Sequence, residues 1–130
     1  MVEEKSRILI VDDDELTCKL MSRILDIYGY TTIAVNSGEE ALEFVQNKPV
    51  DIILVDFMMP EMNGIEFCQR LKNNPLTSSI IVILLTASTD SYLDDATTEA
   101  GVDGFIRKPF DVENFVGYIQ EVGRGRGLLE

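Results

Sequence analysis

Short apolar runs recur along this chain with helix-like stretches between them, and that alternation most restricts the fold. The runs are Ile8-Leu9-Ile10-Val11, Thr32-Ile33-Ala34-Val35, Ile52-Ile53-Leu54-Val55, Ile80 to Leu85, and Gly104-Phe105-Ile106. Apolar, mostly β-branched residues without polar alternation describe strands buried on both faces, as in a parallel sheet. One such run alone could be part of a buried helix; five at regular spacing with helices between them read as strands. The intervening stretches carry helical periodicity and end signals. Leu16, Leu20, Ile24 and Tyr28, with Met21 and Leu25, form one apolar face that Gly29 closes. Ser37 with Glu40, and Asn63 with Glu66, are capping-box pairs opening two further helices, and Pro75 lies beyond the end of the second. Asp90 to Ala100 reads as a weaker helix with Leu93, Ala96, Ala100 and Tyr92 to bury, stopping at Gly101. The last helix opens at Asp111 and buries Phe115, Val116, Ile119 and Val122.

Strands alternating with helices over short loops give an α/β architecture, and right-handed crossovers place helices on both faces of a parallel sheet. The chain has 130 residues, 45% of them hydrophobic, which fits one domain with a real core. Its net charge is −12 and it contains no His. A surface this acidic repels nucleic acid and anionic lipid, so neither is an expected direct partner. Without His, the usual general base is missing and any metal must be held by oxygen. Cys18 and Cys68 fall outside any zinc-like spacing and read as buried, reduced thiols. Met1 to Arg7 is charged, with no signal-peptide stretch, and no apolar run approaches the roughly 20 residues of a membrane span. A cytoplasmic setting without membrane insertion is the expectation.

In a sheet of this kind ligands bind beyond the carboxyl ends of the strands. The informative residues are therefore those that end each run. The first run ends in Asp12-Asp13-Asp14, the third in Asp56, the fourth in Thr86 and the fifth in Lys108-Pro109. Two carboxylates about 4 Å apart repel by roughly 4 kcal/mol at an effective dielectric near 20. Three must shift their pKa values or recruit a cation. An all-oxygen, histidine-free site favours Mg²⁺, with Mn²⁺ or Ca²⁺ able to substitute. Lys108 can bind phosphate as a point charge, and the Thr86 hydroxyl can donate to a phosphoryl oxygen. Such a set suits phosphoryl transfer. Asp56 stands alone at a central strand end and is the attractive acceptor, since a carboxylate is ionised at neutral pH without a base.

These segments together resemble the receiver domain of two-component response regulators. The resemblance covers about residues 7–122. It rests on Ile10-Val11-Asp12-Asp13-Asp14, on Val55-Asp56-Phe57-Met58-Met59-Pro60-Glu61-Met62-Asn63-Gly64, on Leu85-Thr86-Ala87, and on Gly104-Phe105-Ile106-Arg107-Lys108-Pro109-Phe110. It implies a flavodoxin-like, doubly wound five-stranded parallel sheet of order 2-1-3-4-5. It implies that Asp56 takes a phosphoryl group from a histidine kinase phosphohistidine, a phosphotransfer protein or a small acyl phosphate. By the same resemblance Asp13 binds Mg²⁺ directly, Asp12 largely through water, Asp56 directly, and Met58 through its main-chain carbonyl. Lys108 would contact the phosphoryl group, Thr86 would move inward to hydrogen-bond it, and Phe105 would be the switch aromatic. The Lys108-Pro109 bond is expected to be cis. The reader of the switch would be a downstream protein or output domain, docking on the surface of the 90–100 segment, the fifth strand and the last helix. A homodimer formed on activation stays open. The domain would promote its own phosphorylation and dephosphorylation without being a turnover enzyme.

Plainer readings stand beside these. Asp14 is a natural N-cap. Phe105 is a core residue by default, and Met58, Met59 and Met62 are packing or loop surface. Met58 and Ser88 occupy positions that tune phosphoryl lifetime in the family, so no lifetime carries over. Residues 1–6 are an N-terminal extension. Residues 123–130 lack packing periodicity and read as a flexible tail, a linker remnant or an expression remnant. Two rival functions remain: a haloacid-dehalogenase-like phosphatase with an Asp nucleophile, and a receiver-like interaction module that is never phosphorylated. Against the first, Leu16 replaces the Thr or Val of the DxD motif and no late acidic pair is evident.

Overall fold

Alternate residues of each central strand pack to opposite sides of one sheet. Ile8, Ile10, Ile52, Leu54, Ile81, Ile83 and Leu85 face one cluster; Leu9, Val11, Ile53, Val55, Val82 and Leu84 face the other. A computed structural model describes residues 6–87, 99–108 and 110–125. The elements are β1 (Arg7–Val11), α1 (Glu15–Ile27), β2 (Thr31–Val35), α2 (Gly38–Asn47), β3 (Ile52–Asp56), α3 (Gly64–Lys72), β4 (Ile81–Thr86), β5 (Gly104–Arg107) and α4 (Val112–Gly125). All strand pairs are parallel and the order is β2-β1-β3-β4-β5. Helices α1 and α4 cover one face through Cys18, Met21, Leu25, Phe115, Val116 and Ile119. The other face is covered by α2 and α3 through Ala41, Phe67, Cys68 and Leu71, with Ala100 alongside.

The uniform burial expected of all five runs holds for β1, β3 and β4, where nearly every residue is buried. It does not hold for β2, which has no fully buried residue, nor for β5, where only Ile106 is buried. Both are edge strands with one neighbour, so their outer flanks meet solvent. The free flank of β5 is partly closed by the Tyr118 hydroxyl, which accepts a hydrogen bond from the Phe105 N–H at 3.1 Å. Gly104 leaves room for that hydroxyl, which a Cβ would strike.

The α1 face also differs from the expectation. Cys18, Met21 and Leu25 are its buried residues, whereas Leu16 and Leu20 are 75% and 59% exposed. At 100° per residue, Leu16, Leu20 and Ile27 lie about half a turn from Cys18, Met21 and Leu25. The helix is apolar on two sides, and only one meets the sheet. Asp14 caps α1, accepting from the Thr17 N–H and hydroxyl. The Asn63–Glu66 box is complete. The Ser37 pair is half made: Ser37 accepts from the Glu40 N–H, but the Glu40 carboxylate sits by the Ser37 hydroxyl and not its N–H. Helix α4 starts after Asp111, which accepts from the Asn114 N–H at 2.7 Å, and runs to Gly125, past the expected boundary at residue 122. Of the helix expected over 90–100, only Glu99 and Ala100 are described, and both are helical. Ser88, the Lys108-Pro109 bond, residues 1–5 and residues 126–130 lie outside the described residues. No described helix is long and apolar enough to cross a membrane.

Candidate functional site

The parallel ladder sets the site. Pairing Val11 with Val55 and Asp56 with Leu85 brings the carboxyl ends of β1, β3 and β4 to one rim. Asp12 follows β1 directly, Asp56 ends β3, Thr86 ends β4 and Lys108 follows β5. Carboxylate oxygens of Asp12, Asp13 and Asp56 all lie within 4.8 Å of one another. The Lys108 ammonium is 3.1 Å from Asp56 Oδ1 and 3.8 Å from Asp12 Oδ2. The Lys108 N–H donates to the Thr86 carbonyl at 2.8 Å, tying the two strand ends together.

Asp12 is 2% exposed and Asp56 8%. Burial pushes both carboxyls above the usual carboxylate range. The Asp14 N–H resists that rise at Asp12, and Lys108 resists it at Asp56. Asp12 Oδ1 accepts from the Asp14 N–H at 2.9 Å. Its Oδ2 is buried and accepts no hydrogen bond among the described residues. A buried anionic oxygen without a donor is costly, and a divalent cation is what would satisfy it. With three carboxylates in reach and no nitrogen or sulfur ligand, the donor set fits Mg²⁺ or another hard, oxygen-seeking ion.

The loop after Asp56 turns tightly. Gly64 opens α3 so close to β3 that a Cβ would stand 2.9 Å from the Asp56 carbonyl and 2.5 Å from Leu84. Its N–H donates to the Phe57 carbonyl at 3.1 Å. Glu61 takes a left-handed φ of 70°, unusual for a residue with a side chain, and Met62 turns inward beside Gly38. Met62 is buried and Met59 packs on the core, while the Met58 side chain is exposed.

Asp12, Asp13, Asp56, Thr86 and Lys108 thus gather at one rim. Phe105 does not point into the core: it is 36% exposed, with the Arg107 guanidinium over its ring at 5.0 Å. Two residues that strand-end reasoning passed over also belong to the site. The Asp12 carbonyl accepts from Asn36 Nδ2 at 3.2 Å and from Cys18 Sγ at 3.4 Å. Asn36 ends the β2 run, so the rule applied to the other four strands would have found it. Cys18 carries no such signal.

Known proteins are similar to this chain in sequence and in fold. The profile of the response regulator receiver domain matches residues 8–120. A cyclic di-GMP phosphodiesterase of Thermotoga maritima is 40% identical over 107 residues, 82% of this chain and 28% of that protein. The DNA-binding response regulator MtrA of Mycolicibacterium paratuberculosis is 34% identical over 116 residues, 89% of this chain and 50% of that protein. The chain therefore spans half the length of these relatives or less. Among solved structures, the receiver domain of a signal transduction histidine kinase from Syntrophus aciditrophicus superposes with a TM-score of 0.85 at 35% identity, covering 92% of this chain and 91% of that one. The chemotaxis protein CheY4 of Vibrio cholerae gives 0.86 at 28% identity, covering 91% and 98%.

Proposed function

Because the chain belongs to the response regulator receiver-domain family, we propose that it is a phosphorylation-controlled switch whose phosphoacceptor is Asp56. The observation that carries this is the meeting of Asp12, Asp13, Asp56 and Lys108 at one sheet rim. An Asp56 carboxylate oxygen attacks the phosphorus of a phosphohistidine or acyl phosphate. The P–N or P–O bond to the donor breaks, and its electron pair leaves with the donor. Lys108, already paired with Asp56, neutralises charge on the incoming phosphoryl group. Asp12, Asp13 and Asp56, with the Met58 carbonyl, would hold Mg²⁺, which supplies further neutralisation of the phosphoryl oxygens when bound. The product is a mixed anhydride whose phosphoryl group carries up to about two negative charges where the free carboxylate carried one.

Those charges are what the switch reads. The Thr86 hydroxyl donates to a phosphoryl oxygen, and Phe105 follows into the space released. Its exposed starting position leaves it free of core packing that would resist the move. The surface of β5, α4 and the 90–100 segment then differs between the two states. A downstream protein or output domain recognises that difference, and a sensor histidine kinase or phosphotransfer protein supplies the phosphoryl group.

Intact-mass spectrometry after incubation with acetyl phosphate and Mg²⁺ tests the reading. The wild-type chain should gain one phosphoryl group, Asp56→Asn none, and removal of Mg²⁺ by chelation should suppress the gain. An unmodified wild type would leave a non-phosphorylated interaction module. Multiple-turnover release of phosphate from small esters would favour a phosphatase.

A further inference from the structure

The carbonyl of Asp12 is held by two side chains from outside β1. Asn36, between β2 and α2, donates its Nδ2 at 3.2 Å, and Cys18, in the first turns of α1, donates its thiol at 3.4 Å. The carbonyl can only accept, so the Asn36 amide must present its nitrogen there. This oxygen belongs to the peptide joining Asp12 to Asp13, two of the three clustered carboxylates. Fixing the plane of that peptide fixes the direction in which both side chains leave the backbone. The Asp12 N–H is held as well, donating to the Val35 carbonyl at 3.2 Å.

We infer that Asn36 and Cys18 are positioning residues for the divalent-ion site, clamping the Asp12–Asp13 peptide so that the carboxylates meet the strict geometry of Mg²⁺. The inference rests on the metal reading given above. Mg²⁺ demands near-ideal octahedral geometry, whereas Ca²⁺ accepts irregular shells. Loosening the clamp should therefore weaken Mg²⁺ far more than Ca²⁺. A purely structural contact would lower stability and leave the ratio of the two affinities unchanged. Loss of an outer-shell partner typically weakens metal binding about 10–100-fold.

Calorimetric titration of the purified chain with MgCl₂ and CaCl₂ tests this, with thermal melting of the metal-free variants as a check of folding. Asn36→Ala should weaken Mg²⁺ by about tenfold and Ca²⁺ by less than about threefold. Cys18→Ala should shift the ratio in the same direction, while Cys18→Ser, which keeps a donor, should hold it near the wild-type value. Asp13→Asn is the control for the site itself and should weaken both ions. If wild type binds neither ion, or Asp13→Asn changes nothing, the metal reading fails and the clamp with it. If those controls behave and both alanine variants keep the wild-type ratio, the clamp alone is overturned.

Discussion

Asp12 and Asp56 are ionisable groups in a place that disfavours their charge. Burial holds both above the usual carboxylate range, so the folded chain keeps protons that the unfolded chain has already released. With more protons bound in the folded state, stability falls as pH rises through that window. The metal-free protein should therefore lose stability from these groups as pH climbs from the ordinary carboxylate range, about pH 4, towards neutrality. Asp12→Asn should raise the metal-free melting midpoint at neutral pH and flatten this slope. A midpoint unchanged by that substitution would mean the buried charge is already compensated. The cysteines behave differently. Burial first of all pushes both thiols up to about 11, so they stay protonated at neutral pH. Neither should react with a maleimide in the native chain near pH 7, and both should react after denaturation.

Helix α1 distinguishes two sets of leucines that look alike in the sequence. Leu25 is fully buried against the sheet, and truncating it to Ala should cost about 2–5 kcal/mol. Leu20 belongs to the exposed side, so Leu20→Ala should stay within about 0.5 kcal/mol of wild type. Chemical denaturation of the two variants checks this directly, and equal losses would contradict the observed orientation of α1. At the start of α3 the constraint runs the other way. Gly64→Ala pushes a methyl group into the Asp56 carbonyl and Leu84, and overpacking of this kind costs about 1–3 kcal/mol. Because one obstructed atom is the carbonyl of the phosphoacceptor Asp56 itself, the same variant should also slow the gain of a phosphoryl group from acetyl phosphate. At the far end of the sheet Lys72 bonds the Ile80 carbonyl at 2.7 Å and Asp103 at 2.9 Å. Asp103 in turn accepts from the Val82 N–H at 2.8 Å. This network sets β4 and β5 in register away from the acidic rim.

Across the molecule, a net charge of −12 means that folding gathers like charges, and at the rim it brings carboxylate oxygens of three aspartates within 4.8 Å of one another. Raising monovalent salt from about 0.01 to about 0.15 M shortens the screening length from about 30 to about 8 Å and should raise the metal-free melting midpoint. A falling midpoint would mean that attractive pairs such as Lys108–Asp56 outweigh the repulsion. The alternation of apolar runs and capped helices was enough to anticipate the parallel sheet, its three buried central strands and the strand-end set of Asp12, Asp13, Asp56, Thr86 and Lys108. That much is local information: hydrophobic period, caps, and the polar residue that ends each run. The order 2-1-3-4-5 that the resemblance implied is the observed one, and it makes β2 and β5 edges. What no run of Ile, Val or Ala announces is how far those edges open, with Phe105 36% exposed. The side of α1 that meets the sheet was also beyond the sequence, because Leu16, Leu20, Met21 and Leu25 are all apolar and only the crossover from β1 to β2 chooses among them. The hold of Asn36 and Cys18 on one carbonyl belongs to the same class, since it joins residues 24 and 6 positions from Asp12 whose meeting depends on how β2 and α1 pack around the end of β1.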